Sequence, residues 1–306
     1  MIHIENVGIA YGSPARPVLD GIDLEIEEGE FVCVLGQTGC GKSTLLRLVV
    51  GAERPTSGRI LIDGREHRQP DRSRGYVPQR YGLFPDKTVL DNVTFGPEVS
   101  EFNVFHRLTP GFYRRRRELR ARAFDYLRRT GLHESDAAKY PEQLSGGMQQ
   151  RAAIAQALMT EPRILLMDEA FSALDPGTRR EMQQMIHGVW QSTGTTVLFV
   201  THNTLEAVRL GSRVVVLAKE TPDHGSRVVL DLEVPDMSSD EDLSELVGDL
   251  ENASEGKTAR ALPAGFGSRS GRRRFERHRA GGCMRVIAAF PVEGTPDWQV
   301  VAEDAV

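Results

Sequence analysis

The chain has 306 residues, 40% of them apolar and 26% charged, the values of an ordinary globular protein with one large domain or two small ones. Its formal net charge of −5 argues against bulk nucleic-acid binding. No apolar run approaches the roughly 20 residues of a bilayer span, no basic stretch leads into an apolar core at the start, and the three cysteines (Cys33, Cys40, Cys283) build no disulfide framework, so a reduced, cytosolic protein is expected.

Residues 1–30 alternate apolar and polar positions, with Ile2, Ile4, Val7 and Ile9 followed by Ile22, Leu24 and Ile26. That is the pattern of an antiparallel sheet with one wet face. Residues 31–35 are a short apolar run, read as a buried strand, and residues 44–50 read as a helix stopped by Gly51. Between them stands G-x-x-x-x-G-K-[ST], spelled Gly36-Gln37-Thr38-Gly39-Cys40-Gly41-Lys42-Ser43-Thr44. Phosphate oxygens need many donors in a small space, and glycines let successive backbone N–H groups turn inward. Lys42 adds a charge for the β- and γ-phosphates, and Ser43 offers a hydroxyl to Mg²⁺. A helix start favours an anion at the same place. The segment therefore predicts binding of a nucleoside triphosphate. Cys40, inside the loop, is a candidate alkylation target.

Further on, Gln79 follows the apolar segment Gly75-Tyr76-Val77-Pro78 and offers an amide to Mg²⁺ or to an attacking water. Residues 86–160 read as largely helical, an insert between two core strands. Within it, Arg114–Arg117, Arg120, Arg122, Arg128 and Arg129 interleave with Phe112, Tyr113, Phe124 and Tyr126. Such a run is either a solvated helix face or a contact for anionic headgroups or an acidic loop. Residues 164–167 are apolar and lead to Asp168 and Glu169. A buried parallel strand would carry both carboxylates to its C-terminal edge, Asp168 toward Mg²⁺ and Glu169 as the base for the attacking water. Residues 195–200 repeat that form and end in Thr201-His202, which puts His202 beside the γ-phosphate. Residues 214–217 and 228–234 read as closing strands. From residue 236 the composition changes: an acidic stretch to 255 has Leu243, Leu246, Val247 and Leu250 at helical spacing, 256–282 is rich in Gly, Ser and Arg and reads as disordered, and 284–302 could form a small hairpin.

Residues 1 to about 235 resemble the nucleotide-binding subunit of an ABC transporter. The likeness rests on Tyr11, the glycine loop, Gln79, the element Leu144-Ser145-Gly146-Gly147, the strand ending at Glu169, Ser172-Ala173-Leu174-Asp175 and His202, in that order. The resemblance implies an α/β fold, a P-loop NTPase (RecA-like) core with an N-terminal antiparallel β subdomain and an inserted α-helical subdomain. It implies ATP and Mg²⁺ as ligands, with Tyr11 stacking on adenine, and Ser145, Gly146 and Gly147 opening a helix toward the γ-phosphate of a second copy or a paralogous subunit. Tyr140-Pro141-Glu142-Gln143-Leu144, the opening Ile2-His3-Ile4-Glu5-Asn6-Val7, and the stretch Phe84-Pro85 with Thr88-Val89-Leu90-Asp91-Asn92-Val93 make it most similar to the nitrate, sulfonate and taurine importer group. A transmembrane permease would then be the partner, a solute-binding protein an indirect one, no specific nucleic acid is involved, and the location is peripheral on the cytoplasmic side of the membrane. Asn203 departs from the commoner Asp, and Ala170 from Pro. The other reading is a soluble ABC ATPase acting on ribosomes or DNA, but such chains carry two cassettes or a long coiled coil, and neither is present here.

Overall fold

The structure, a computed structural model, describes residues 1–80, 82–101, 110–219, 224–234, 240–254, 274–280, 283–291 and 298–303. They divide into two compact units, Met1–Gln69 with Leu198–Val306, and Pro70–Val197.

The first unit begins with β1 (Ile2–Tyr11) and β2 (Arg16–Ile26), which pair antiparallel with Ile2 opposite Ile26 and Ile4 opposite Leu24. Ile2, Ile4, Val7 and Ile9 of β1 and Ile22, Leu24 and Ile26 of β2 are buried; the alternation holds within Ile2–Ile4, Val7–Ile9 and Ile22–Ile26, and a register shift between Ile4 and Val7 changes its phase. Next come β3 (Phe31–Leu35), buried at every residue, and α1 (Lys42–Val50). Gly51 ends α1 in the left-handed region, φ 87°, and its N–H returns to the Arg47 and Leu48 carbonyls. Then β4 (Ser57–Ile62) and β5 (Arg65–Glu66) complete a four-stranded sheet of order β2-β1-β4-β5.

The second unit carries β6 (Arg74–Val77), α2 (Val89–Glu101), α3 (Pro110–Arg129), α4 (Gly146–Leu158), β7 (Ile164–Asp168) and α5 (Pro176–Thr193). β6 and β7 are parallel neighbours, with Val77 opposite Met167. The helices share a core of Val89, Val93, Leu119, Ala123, Leu127, Ala152, Ala155 and Met159. The arginines of α3 are largely spent inside this unit. Arg115 pairs with Glu101 and Glu118, Arg116 with Glu98, Arg120 with Asp91, Arg122 with Glu161 and Arg128 with Asp125, while Arg129 lies over the Tyr126 ring.

The chain passes back into the first unit within β8 (Thr196–Thr201), followed by α6 (Thr204–Leu210), β9 (Arg213–Ala218), β10 (Arg227–Glu233) and α7 (Asp240–Ser254). β9 lies parallel to β3, Leu35 opposite Val216, and antiparallel to β10. Leu246 and Leu250 of α7 are buried, and the helix packs on α6 and β9. Three further strands, β11 (Arg274–Ala280), β12 (Cys283–Pro291) and β13 (Trp298–Glu303), form an antiparallel sheet in that order. The rest of the Gly-, Ser- and Arg-rich stretch lies outside the described residues. Among the described residues no helix is long and apolar enough to cross a membrane.

Candidate functional site

In the first unit the glycine loop leaves β3 and turns into α1 at Lys42. Two glycines are required by space. A Cβ on Gly36 would stand 2.4 Å from the Leu217 carbonyl oxygen and 2.7 Å from Cys40 Sγ. Gly41 has φ 93°, and a Cβ there would meet Leu19 Cδ2 at 2.6 Å. The Lys42 ammonium is buried and donates to the carbonyls of Gly36 at 2.7 Å and Gln37 at 2.9 Å. Its charge is thus held inside the loop, and the Cys40 N–H closes the turn on the Gln37 carbonyl. No side-chain hydrogen bond caps α1 at Gly41, and a helix start of this kind favours an anion. Cys33 and Cys40 are both free thiols. Cys40 is buried, and desolvation pushes its thiol up despite the opposing charge of Lys42. Expected alkylation at Cys40 is therefore disfavoured twice, by access and by a scarcity of thiolate.

Tyr11 ends β1 and is 42% exposed. Its hydroxyl donates to the Glu53 carboxylate. Arg47 Nε donates to the same carboxylate at 2.6 Å, and its Nη2 donates to Thr44 Oγ1 at 3.0 Å. His202 follows β8 in this unit and is exposed. The Asn203 next to it serves as the N-cap of α6, accepting from the Glu206 N–H at 2.9 Å. That is the work an Asp would do there, so the departure costs little.

In the second unit the parallel register of β6 and β7 brings Gln79 and Glu169 off the same edge. Gln79 Nε2 donates to Glu169 Oε2 at 3.0 Å. Asp168, the last residue of β7, is buried. Glu169 adopts φ 45°, an unusual region for a non-glycine residue and one that clusters at functional sites. Ser145 caps α4, accepting from the Met148 N–H at 3.3 Å, and Gly146 and Gly147 open that helix without side chains. Gln150, on the next turn and buried, donates to the Pro78 carbonyl at 3.4 Å, just before Gln79. Asp175 caps α5 through the Gly177 and Thr178 amides, and the Thr178 N–H foremost holds its carboxyl below the usual range.

The sequence-predicted residues thus fall into two groups. Tyr11, the loop from Gly36 to Thr44 and His202 belong to the first unit; Gln79, Asp168, Glu169 and Ser145–Gly147 belong to the second. Sequence reasoning missed Arg47, Glu53 and Gln150, because no local pattern marks a charged or polar residue whose partner is a distant side chain or carbonyl.

A family model described as ABC transporter matches residues 19–172. An uncharacterised ABC transporter ATP-binding protein of Methanocaldococcus jannaschii is 46% identical over 217 residues, 71% of this chain and 76% of that one. The taurine import ATP-binding protein of Rhizobium johnstonii is 44% identical over 200 residues, 65% of this chain and 71% of that one. A solved dimeric ATP-binding cassette in a post-hydrolysis state, bound to ADP and Pi, superposes with a TM-score of 0.66 at 32% identity, covering 78% of this chain and 100% of that one.

Proposed function

The chain belongs to the ABC transporter ATP-binding family and is an ATPase, and on that premise we propose that it closes in pairs around ATP to drive import of a small solute through a separate membrane permease. The likeness to a taurine import subunit supports a nitrate-, sulfonate- or taurine-like solute, recruited by a solute-binding protein. The dimeric cassette with ADP and Pi supports pairing around nucleotide, with either a second copy or a paralogous subunit. A peripheral place on the cytoplasmic face of the membrane follows from the permease partner. The contact surface proposed for that partner is the Phe84 loop. Buried Asn92 staples it, accepting from the Phe84 N–H at 2.7 Å and donating to the Phe84, Lys87 and Thr88 carbonyls, which leaves the Phe84 ring exposed.

In this reading Tyr11 stacks on the base, and Gly36, Gln37, Thr38, Gly39, Cys40, Gly41, Lys42, Ser43 and Thr44 hold the phosphates. Ser145, Gly146 and Gly147 offer the start of α4 to the γ-phosphate of the partner's ATP. Water attacks the γ-phosphorus, Glu169 takes the water's proton, and the bond to the ADP oxygen breaks. Gln79 orients the Glu169 carboxylate, and His202 holds the attacked phosphate. Among the described residues no cluster of three or more His, Cys, Asp or Glu is built to hold a metal alone. The oxygen chemistry of Ser43, Gln79 and Asp168 suits Mg²⁺, which keeps water and takes phosphate oxygens as ligands. Bound there, Mg²⁺ would neutralise phosphate charge.

The observation that carries the reading is the Gln79–Glu169 hydrogen bond at the end of two parallel strands. Glu169→Gln tests it. Nucleotide binding should persist while steady-state hydrolysis falls by a factor of about 10² to 10⁴, the usual worth of a general base. Hydrolysis at the wild-type rate would remove Glu169 from the mechanism.

A further inference from the structure

Two residues of the first unit have no part in any nucleotide-binding motif, yet they hold the one aromatic ring assigned to the base. Glu53 accepts from the Tyr11 hydroxyl and from Arg47 Nε, and Arg47 is braced in turn on Thr44. The backbone of Glu53 is itself fixed. It follows the left-handed cap at Gly51, and the Ala52 and Glu53 amides both return to the Arg47 carbonyl, at 2.9 and 3.3 Å. One helix therefore carries the phosphate loop at its start and the anchor of Tyr11 beyond its end. Nine residues at 1.5 Å each set those two ends about 13 Å apart.

We propose that Glu53, braced by Arg47, is a positioning residue that holds the Tyr11 ring as a ready platform for the nucleotide base, with α1 as the spacer between base and phosphates. The proposal deepens the reading of Tyr11 as the base platform and rests on it. A tyrosine at a strand end with much of its surface exposed would otherwise sample several rotamers, and the ligand would have to freeze one of them. The Glu53 contact freezes it in advance. Arg47 has a second effect: it neutralises the carboxylate, so a polyanionic ligand does not approach a bare negative charge. Partial burial, then the hydrogen bond to Glu53, pushes the Tyr11 hydroxyl above its ordinary value, so it remains a donor across the neutral range.

The test uses the full chain and a fluorescent ATP analogue, displaced by ATP or by inorganic tripolyphosphate. Tyr11→Phe keeps the ring and removes the hydroxyl; Glu53→Ala removes the anchor. Each should weaken ATP binding roughly 2- to 10-fold, the cost of ordering one side chain at binding, and leave tripolyphosphate affinity unchanged. The double variant should lose no more than the weaker single one, because both remove the same restraint. Tighter ATP binding in either variant would overturn the proposal, since the contact would then be a catch that must open. Equal loss of tripolyphosphate affinity would overturn it too, since α1 itself would be damaged. Tyr11→Ala separates the underlying reading: if it binds ATP like the wild type, the ring is no platform, whereas a loss there with none in Tyr11→Phe and Glu53→Ala retains the platform and rejects the anchor.

Discussion

At the scale of single residues, Lys42 shows how much of a site is settled by charge and confinement. Its ammonium is buried against two loop carbonyls, at 2.7 and 2.9 Å, so the loop already holds a cation at its centre. Lys42→Ala should lower nucleotide affinity about 10- to 100-fold, the range for hydrogen bonds to a charged group, as read by titration with ATP. Unchanged affinity would mean that the phosphates lie elsewhere. The loop was legible in the sequence because its chemistry is contiguous: glycines, lysine and serine must follow one another for their donors to converge. Glu53 was not legible. It lies 42 residues from Tyr11, and only folding brings its carboxylate to the hydroxyl. Between these cases stands Glu169. A carboxylate after an apolar strand was readable, but its φ of 45° was not, since nothing in the neighbouring letters demands a left-handed residue.

At the scale of elements, parallel pairing does the assembling. β6 and β7 run the same way in register, so the residues just past each, Gln79 and Glu169, come out side by side. The sequence marked β7 as a buried parallel strand and placed Gln79 after Gly75-Tyr76-Val77-Pro78, but the pairing of β6 with β7 that sets Gln79 beside Glu169 came only with the fold. What it left open was the use of the arginines in α3, since a run of one charge does not reveal its partners. Most are matched by acids on α2, on α3 itself, or before β7. The pair of β9 and β10 offers a test of element stability. Arg213 is buried and meets Asp231 through two parallel hydrogen bonds of 2.7 Å, with the Glu25 carbonyl and Glu30 beside it. Asp231→Ala strands much of that guanidinium. The urea-unfolding midpoint should fall, corresponding to a loss of about 3 kcal/mol, the lower end for a broken buried pair because Glu30 remains. A change within ~0.5 kcal/mol would show that the pair contributes little.

At the scale of the whole molecule, one chain carries the glycine loop and, separately, the Ser145-capped start of α4, which the proposed pairing turns toward another copy's ligand. If two copies close around nucleotide, specific ATPase activity should climb with chain concentration before levelling, and Glu169→Gln with ATP should sediment as a dimer. Activity per chain that stays flat on dilution, with no dimer in that variant, would reject pairing. The first unit is also discontinuous in sequence, and this bears on its birth at the ribosome. The N–H of Phe31, where β3 begins, finds its Ser212 partner 181 residues later, and Gly36 nests against Leu217. At about 5–20 residues per second, the ribosome takes on the order of 10 to 40 s to deliver that partner. For that interval a fully apolar nascent strand waits without its parallel neighbour, a lengthy opening for chaperones and for misassociation between polysomal chains.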